Sequence, residues 1–218
     1  MARLSLGFAI LILAVGTSVW SQPAAQDDGP SVLFVGNSLT ERNDLPGRVR
    51  ALAGLAGLRV HTAAVTRGGA SLADHWNAGR VQREISSRRW SFVVLQQGPS
   101  TQPASRAELV SSVRQYAPAI RAAGAEPVLL MVWPLPGQTT QAVAASYRAA
   151  ASAIGATLIP AGEDWERARL RDRGLVLTEA DGFHPSEMGT EIAARAVVRA
   201  LWNVPRAPGP IDAGHMIR

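Results

Sequence analysis

The stretch Ser31-Val-Leu-Phe-Val-Gly36-Asn37-Ser38-Leu-Thr-Glu-Arg42 decides how the chain is read. Five residues from Ser31 to Val35 form an apolar run of strand length that stops abruptly at Gly36-Asn37-Ser38. A run that is apolar on consecutive positions, not alternate ones, suits a strand buried on both faces, as in a parallel sheet. Such sheets place ligands beyond the carboxyl ends of their strands. Ser38 would then lie at that edge, either as a reactive hydroxyl or as an ordinary capping serine of a strand-to-helix turn.

The rest of the chain alternates in the same way. Strands are expected at Ser31–Gly36, 59–65, 92–96, 127–133 and 157–160. Helices are expected at Leu45–Leu55 with Asp44 as N-cap, then at 73–87, 105–123, 141–154, 165–173 and Glu187–Trp202. Five apolar strands separated by helices imply an α/β fold, a single three-layer α/β/α domain around a five-stranded parallel sheet. The domain should occupy residues 30–203, with 204–218 as a loosely packed tail rich in Pro and Gly. Four loops at the carboxyl edge carry polar or glycine-rich residues: Ser38, Gly68-Gly69, Gln97-Gly98-Pro99-Ser100 and Trp133-Pro134.

Residues 1–25 differ from the rest of the chain. Arg3 precedes an apolar run, and a polar exit with small residues comes after it, the layout of a signal peptide. The run is short of the roughly 20 residues a membrane span needs. The expectation is export, to the periplasm or outside the cell, with cleavage after Ser21 or Ala25 and no stable membrane insertion afterwards.

The 218 residues include no cysteine, so disulfide and thiol chemistry are excluded. Formal net charge is +5 and every basic side chain is arginine. The arginines are scattered among acids without interleaved aromatics, which argues against a nucleic-acid surface. No Walker loop, dinucleotide fingerprint or H-E-x-x-H motif is present. No metal and no cofactor is expected. Composition does not speak to oligomeric state.

A serine hydroxyl attacks a carbonyl only when a base removes its proton, and the base is most often a histidine oriented by a carboxylate. Of the histidines at 61, 75, 184 and 215, His184 stands out. It lies in Ala-Asp181-Gly-Phe-His184-Pro-Ser-Glu-Met-Gly, three residues after a carboxylate, in a loop leading into the last helix. Taken alone, this stretch also reads as an Asp-Gly turn with a surface histidine. His75, next to Trp76, could line a cleft.

Gly36-Asn37-Ser38-Leu39-Thr40 resembles the nucleophile block of the SGNH (GDSL-like) hydrolases, with Asn37 in place of the usual aspartate. Asp181-Gly-Phe-His184-Pro185 resembles that superfamily's last block, D-x-x-H-P. Gly69 matches the glycine of its second block. The resemblance implies a flavodoxin-like SGNH hydrolase fold and a serine esterase in which Ser38, Asp181 and His184 are catalytic. It also implies oxyanion donors from the Ser38 and Gly69 amides. The third block departs from the family pattern: Ser100 falls where an asparagine donor is expected, with the Gln97 side-chain amide as the alternative. The implied substrate is a small-molecule or glycan ester with a short acyl group, acetyl first. Trp133 and Trp76 could stack on a sugar, or belong to the core. Two rival readings are a catalytically inactive carbohydrate- or ligand-binding protein of the same fold and a flavodoxin-like nucleotide binder.

Overall fold

A computed structural model describes residues 29–204. The leader, the tail and His215 lie outside the described residues.

The sheet arises from the apolar runs. Strands β1 (Ser31–Gly36), β2 (His61–Thr66), β3 (Phe92–Leu95), β4 (Glu126–Leu130) and β5 (Thr157–Ile159) pair in the order β2-β1-β3-β4-β5, and every pairing is parallel. All six residues of β1 are buried. That matches its central place, since both of its edges and both of its faces are covered. The chain order reverses at β1, where connections leave in opposite directions. The carboxyl ends of β1 and its neighbours therefore form the crevice that this sheet type offers to ligands.

The helices are α1 (Ser38–Glu41), α2 (Leu45–Leu55), α3 (Leu72–Ala78), α4 (Arg80–Ser87), α5 (Pro103–Ala122), α6 (Thr140–Ile154), α7 (Ala161–Arg171) and α8 (Glu187–Trp202). Helix α2 packs on α8 and α8 on α7, while α5 packs on α3, α4 and α6. The two groups cover the two faces of the sheet, which makes the expected three-layer α/β/α domain. Helix α2 starts as its sequence predicts: Asp44 accepts a hydrogen bond from the Gly47 amide at 3.0 Å and Pro46 occupies the first turn. Among the described residues no helix is long and apolar enough to cross a membrane.

Three expected elements are corrected. The single helix expected over 73–87 is two helices, because Gly79 adopts φ +70 and caps α3 with a left-handed residue. The strand expected over 127–133 stops pairing at Leu130, although Met131, Val132 and Trp133 are buried. Its neighbour β5 ends at Ile159, and the Met131 carbonyl accepts from the Gly162 amide of α7 instead, at 3.1 Å. Helix α7 begins at Ala161, ahead of the expected 165, with Glu163 and Asp164 in its first turn where the helix dipole favours them.

The start of α8 is fixed by close packing. The Trp165 indole donates to the Gly189 carbonyl at 2.9 Å. A Cβ at Gly189 would lie 2.2 Å from the Leu177 carbonyl oxygen and 2.5 Å from the Trp165 ring. Both neighbours are buried and neither can retreat cheaply. Gly189→Ala should therefore lower unfolding stability by ~1–3 kcal/mol, the range for overpacking a dense core, as measured by urea denaturation.

Candidate active site

The first half of the site is the turn after β1. Asn37 is extended and caps α1, its side-chain oxygen accepting from the Leu39 amide at 3.1 Å. Its amide nitrogen donates to the Ala70 carbonyl at 3.2 Å, which ties the turn to the β2–α3 loop. Ser38 comes next as the first residue of α1 and is partly exposed. His75 is buried at 5 % exposure, with Nε2 2.8 Å from the Gly36 carbonyl, so it braces the end of β1.

Sequence reasoning missed Gln96. This residue is 1 % exposed and comes directly after β3, beside the turn. Its side-chain oxygen accepts from the Asn37 amide at 3.0 Å and from the Thr40 hydroxyl at 2.8 Å. Its amide nitrogen donates to the Asn37 side-chain oxygen at 3.0 Å and to the Gln97 carbonyl at 2.9 Å. The available signal was two glutamines placed straight after the apolar run Phe92–Leu95.

The second half is the loop between α7 and α8. Thr178 bridges Pro185 in antiparallel fashion, and the Glu179 amide donates to the His184 carbonyl at 2.8 Å. Gly182 turns the chain at φ +68. Asp181 Oδ1 accepts from the Phe183 and His184 amides, both at 2.9 Å. The loop is held from outside as well. The Trp133 indole donates to the Phe183 carbonyl at 2.9 Å, and the Asn43 side chain donates to the Pro185 carbonyl at 2.8 Å.

The two halves meet. His184 Nδ1 lies 2.6 Å from Asp181 Oδ2, and His184 Nε2 lies 3.0 Å from Ser38 Oγ. With Nδ1–H donating to the carboxylate, Nε2 presents its lone pair to the serine hydroxyl. The structure thus brings Ser38, His184 and Asp181 into one hydrogen-bonded line. The bond from the His184 ring holds the Asp181 carboxyl well down, at about 2, with help from the Phe183 and His184 amides.

The other residues singled out from sequence lie around this line. Gly69 is exposed at φ +70 in the β2–α3 loop. Ser100, at φ +56, is 7 % exposed and donates its hydroxyl proton to the Gly98 carbonyl at 3.0 Å. The Gln97 side-chain oxygen accepts from the Leu72 amide at 3.0 Å, and its nitrogen lies 3.4 Å from Ser100 Oγ. Trp133 is 4 % exposed and stacks on Trp165 with ring centroids 3.7 Å apart, which leaves little of its face for a sugar. Trp76 is half-buried with its ring edge-on to Tyr116. A cleft of about 500 Å³ opens beside Gly182, lined by Trp133, Pro136, Gln138, Trp165, Glu166 and Arg169 among others.

The sequence offers no obvious metal motif, but the fold does draw together Glu179, Asp181 and His184, with one ligand atom of each within 4.8 Å of the others. Each already has a partner: Arg42 pairs with Glu179 at 3.2 Å, and Asp181 pairs with His184.

The molecule is therefore an α/β/α sandwich with serine, histidine and aspartate aligned at the carboxyl edge of its sheet. No protein-family model matches the chain, and no curated protein does. Solved structures do match. A candidate SGNH hydrolase from Slackia heliotrinireducens is 29% identical, with a TM-score of 0.66, over 79% of this chain and 99% of that one. A lipase/acylhydrolase from Enterococcus faecalis is 15% identical (TM-score 0.62), covering 78% of this chain and 94% of its own. A catalytic mutant of an acetylxylan esterase from Geobacillus stearothermophilus is 16% identical (TM-score 0.60), covering 80% and 94%. The protein has the SGNH/GDSL-like hydrolase fold, in agreement with the resemblance read from its first and last blocks.

The Asp181 carboxyl yields a pH prediction. Its folded pKa is depressed, so its contribution to stability is complete above the ordinary carboxylate value near 4 and is lost as pH falls through about 2. Urea titrations of wild type and Asp181→Asn should differ in midpoint at pH 6, and that difference should shrink steadily below pH 4. A difference that is constant from pH 6 to pH 2 would contradict the assignment.

Proposed function

We propose that this protein is a serine esterase that removes short acyl groups, acetyl first, from alcohols including those of sugars. The observation that carries the reading is the pair of contacts at His184: 3.0 Å to the Ser38 hydroxyl and 2.6 Å to the Asp181 carboxylate.

Ser38 Oγ attacks the ester carbonyl carbon as its proton passes to His184 Nε2. The ring becomes cationic, and Asp181 stabilises it through Nδ1–H. The tetrahedral oxyanion is held by the Ser38 and Gly69 amides. For the third donor this reading takes the Gln97 side-chain amide, which keeps a second N–H beyond its 3.4 Å contact with Ser100 Oγ, while the Ser100 hydroxyl donates to the Gly98 carbonyl. His184 then protonates the leaving alcohol. Water enters, His184 takes its proton, and the acyl-enzyme is cleaved to acid and free Ser38. Proton acceptance requires a neutral imidazole ring.

A short acyl group fits the absence of a long apolar insertion near the serine in the sequence. The cleft beside Gly182 carries the polar side chains Gln138, Glu166 and Arg169, a lining suited to a hydroxyl-rich alcohol. An acetylxylan esterase is among the proteins of like fold, which accords with this substrate class. The leader-like segment 1–25 supports a place of action outside the cytoplasm.

Acetyl and butyryl nitrophenyl esters provide the test. Ser38→Ala and His184→Ala should each lower kcat/KM by ~10⁴-fold or more. Wild-type turnover by Ser38→Ala would refute the reading. Gln97→Ala should lose ~10²–10³ in kcat, the loss usual for one oxyanion donor, while Ser100→Ala stays within a few-fold of wild type.

A further inference from the structure

We propose that Gln96 is the positioning residue of the nucleophile turn, setting where the Ser38 hydroxyl stands against His184; this rests on the esterase reading above. Gln96 does not reach the reacting atoms itself. It acts through Asn37, the residue before Ser38.

The geometry is a closed exchange between two neutral amides. Gln96 uses both acceptor sites and both donor sites: it accepts from the Asn37 amide and the Thr40 hydroxyl, and donates to the Asn37 side-chain oxygen and the Gln97 carbonyl. All four bonds are 2.8–3.0 Å long, and the group is 1 % exposed. Asn37 and Thr40 bracket Ser38 on both sides. Holding them fixes the serine backbone in place.

Gly36 gives separate support. Its backbone is not in the left-handed region, so conformation does not require glycine there. A Cβ at Gly36 would stand 2.3 Å from the Gln96 side-chain oxygen and 2.6 Å from the Thr40 hydroxyl. The space a side chain would need is the space the Gln96 contact occupies. The glycine before Asn37-Ser38 is thus explained by this contact.

Glutamate at 96 would behave differently in its two protonation states. A protonated carboxyl keeps the acceptor face and one donor. An ionised one has no donor and faces two oxygens, those of the Asn37 side chain and the Gln97 carbonyl. Asn37 cannot flip to compensate, because its nitrogen would leave the Ala70 carbonyl and its oxygen would leave the Leu39 amide. The titratable groups around this cluster are His75 on the Gly36 carbonyl, Tyr147 on the Gln97 backbone and His184 across Ser38. Among the described residues no hydrogen bond from a charged arginine or carboxylate reaches Gln96.

The test compares kcat and KM for wild type, Gln96→Glu, Gln96→Leu and Gly36→Ala on a short-chain ester across pH 5 to 8. Gln96→Leu and Gly36→Ala should lose ~10–100-fold in kcat, the scale for a small misplacement of a reacting group, with KM within about two-fold. The ratio of Gln96→Glu to wild-type kcat should be highest at pH 5 and fall at least about ten-fold by pH 8, since burial raises a carboxyl pKa. The Gln96→Leu ratio should not change with pH. Gln96→Leu activity close to wild type would overturn the proposal, as would a pH-independent Gln96→Glu ratio or a loss seen only in KM. If Gln96→Leu does not fold, the Gln96→Glu ratio decides. If wild type cleaves no ester, the esterase reading fails. The positioning claim is then read from crystal structures of wild type and Gln96→Glu at pH 8: Ser38 Oγ leaving hydrogen-bond reach of His184 Nε2 supports it, and an unchanged 3.0 Å contact overturns it.

Discussion

The contact on which the rest depends joins His184 Nε2 to Ser38 Oγ, 3.0 Å apart and 146 positions apart in the chain. Nothing local brings these residues together. Ser38 is delivered by the buried strand β1, and His184 by a short loop that leads into α8. Helix α8 packs on α2, which comes soon after the Ser38 turn, so the two ends of the domain are locked side by side. Asn43 spans the junction, donating to the Pro185 carbonyl and to the Thr190 hydroxyl of α8. The geometry of the pair is thus a property of the whole α2–α8 packing.

The two partners are stiffened in different ways. Around Ser38 the support is buried, built from the side-chain amides of Asn37 and Gln96 and the His75 ring at the ends of β1 and β3. Around His184 the support is exposed and charged. Asp181 has a side chain 45% exposed, yet it accepts from two backbone amides and the imidazole. A carboxylate satisfied three times over by local donors does not need burial to keep its orientation. The buried Trp133–Trp165 stack backs the loop through the Phe183 carbonyl. Trp133 thus contributes to the site through the loop it holds.

How much of this could be read from the chain varied with how local each feature is. The parallel sheet was legible because Ser31–Val35 and Phe92–Leu95 are apolar on consecutive positions. The Ser38 turn and the Asp181–His184 loop were legible because each motif is contiguous. The split between α3 and α4 was not, since Gly79 interrupts a stretch whose apolar spacing otherwise continues. Trp133 invited a sugar-stacking role, but its neighbour in space, Trp165, is 32 residues away and takes the ring face. Gln96 was missed for the same reason: its partners Asn37 and Thr40 lie more than 50 positions earlier, and no spacing rule relates them.

The central claim is that His184 makes one hydroxyl, that of Ser38, into a nucleophile. The most direct measurement is covalent capture with a fluorophosphonate and then peptide mass spectrometry. The account predicts a stoichiometric adduct on the peptide carrying Ser38 in wild type and none in His184→Ala. A folded wild type that takes no label, or that takes it on another serine, would contradict it.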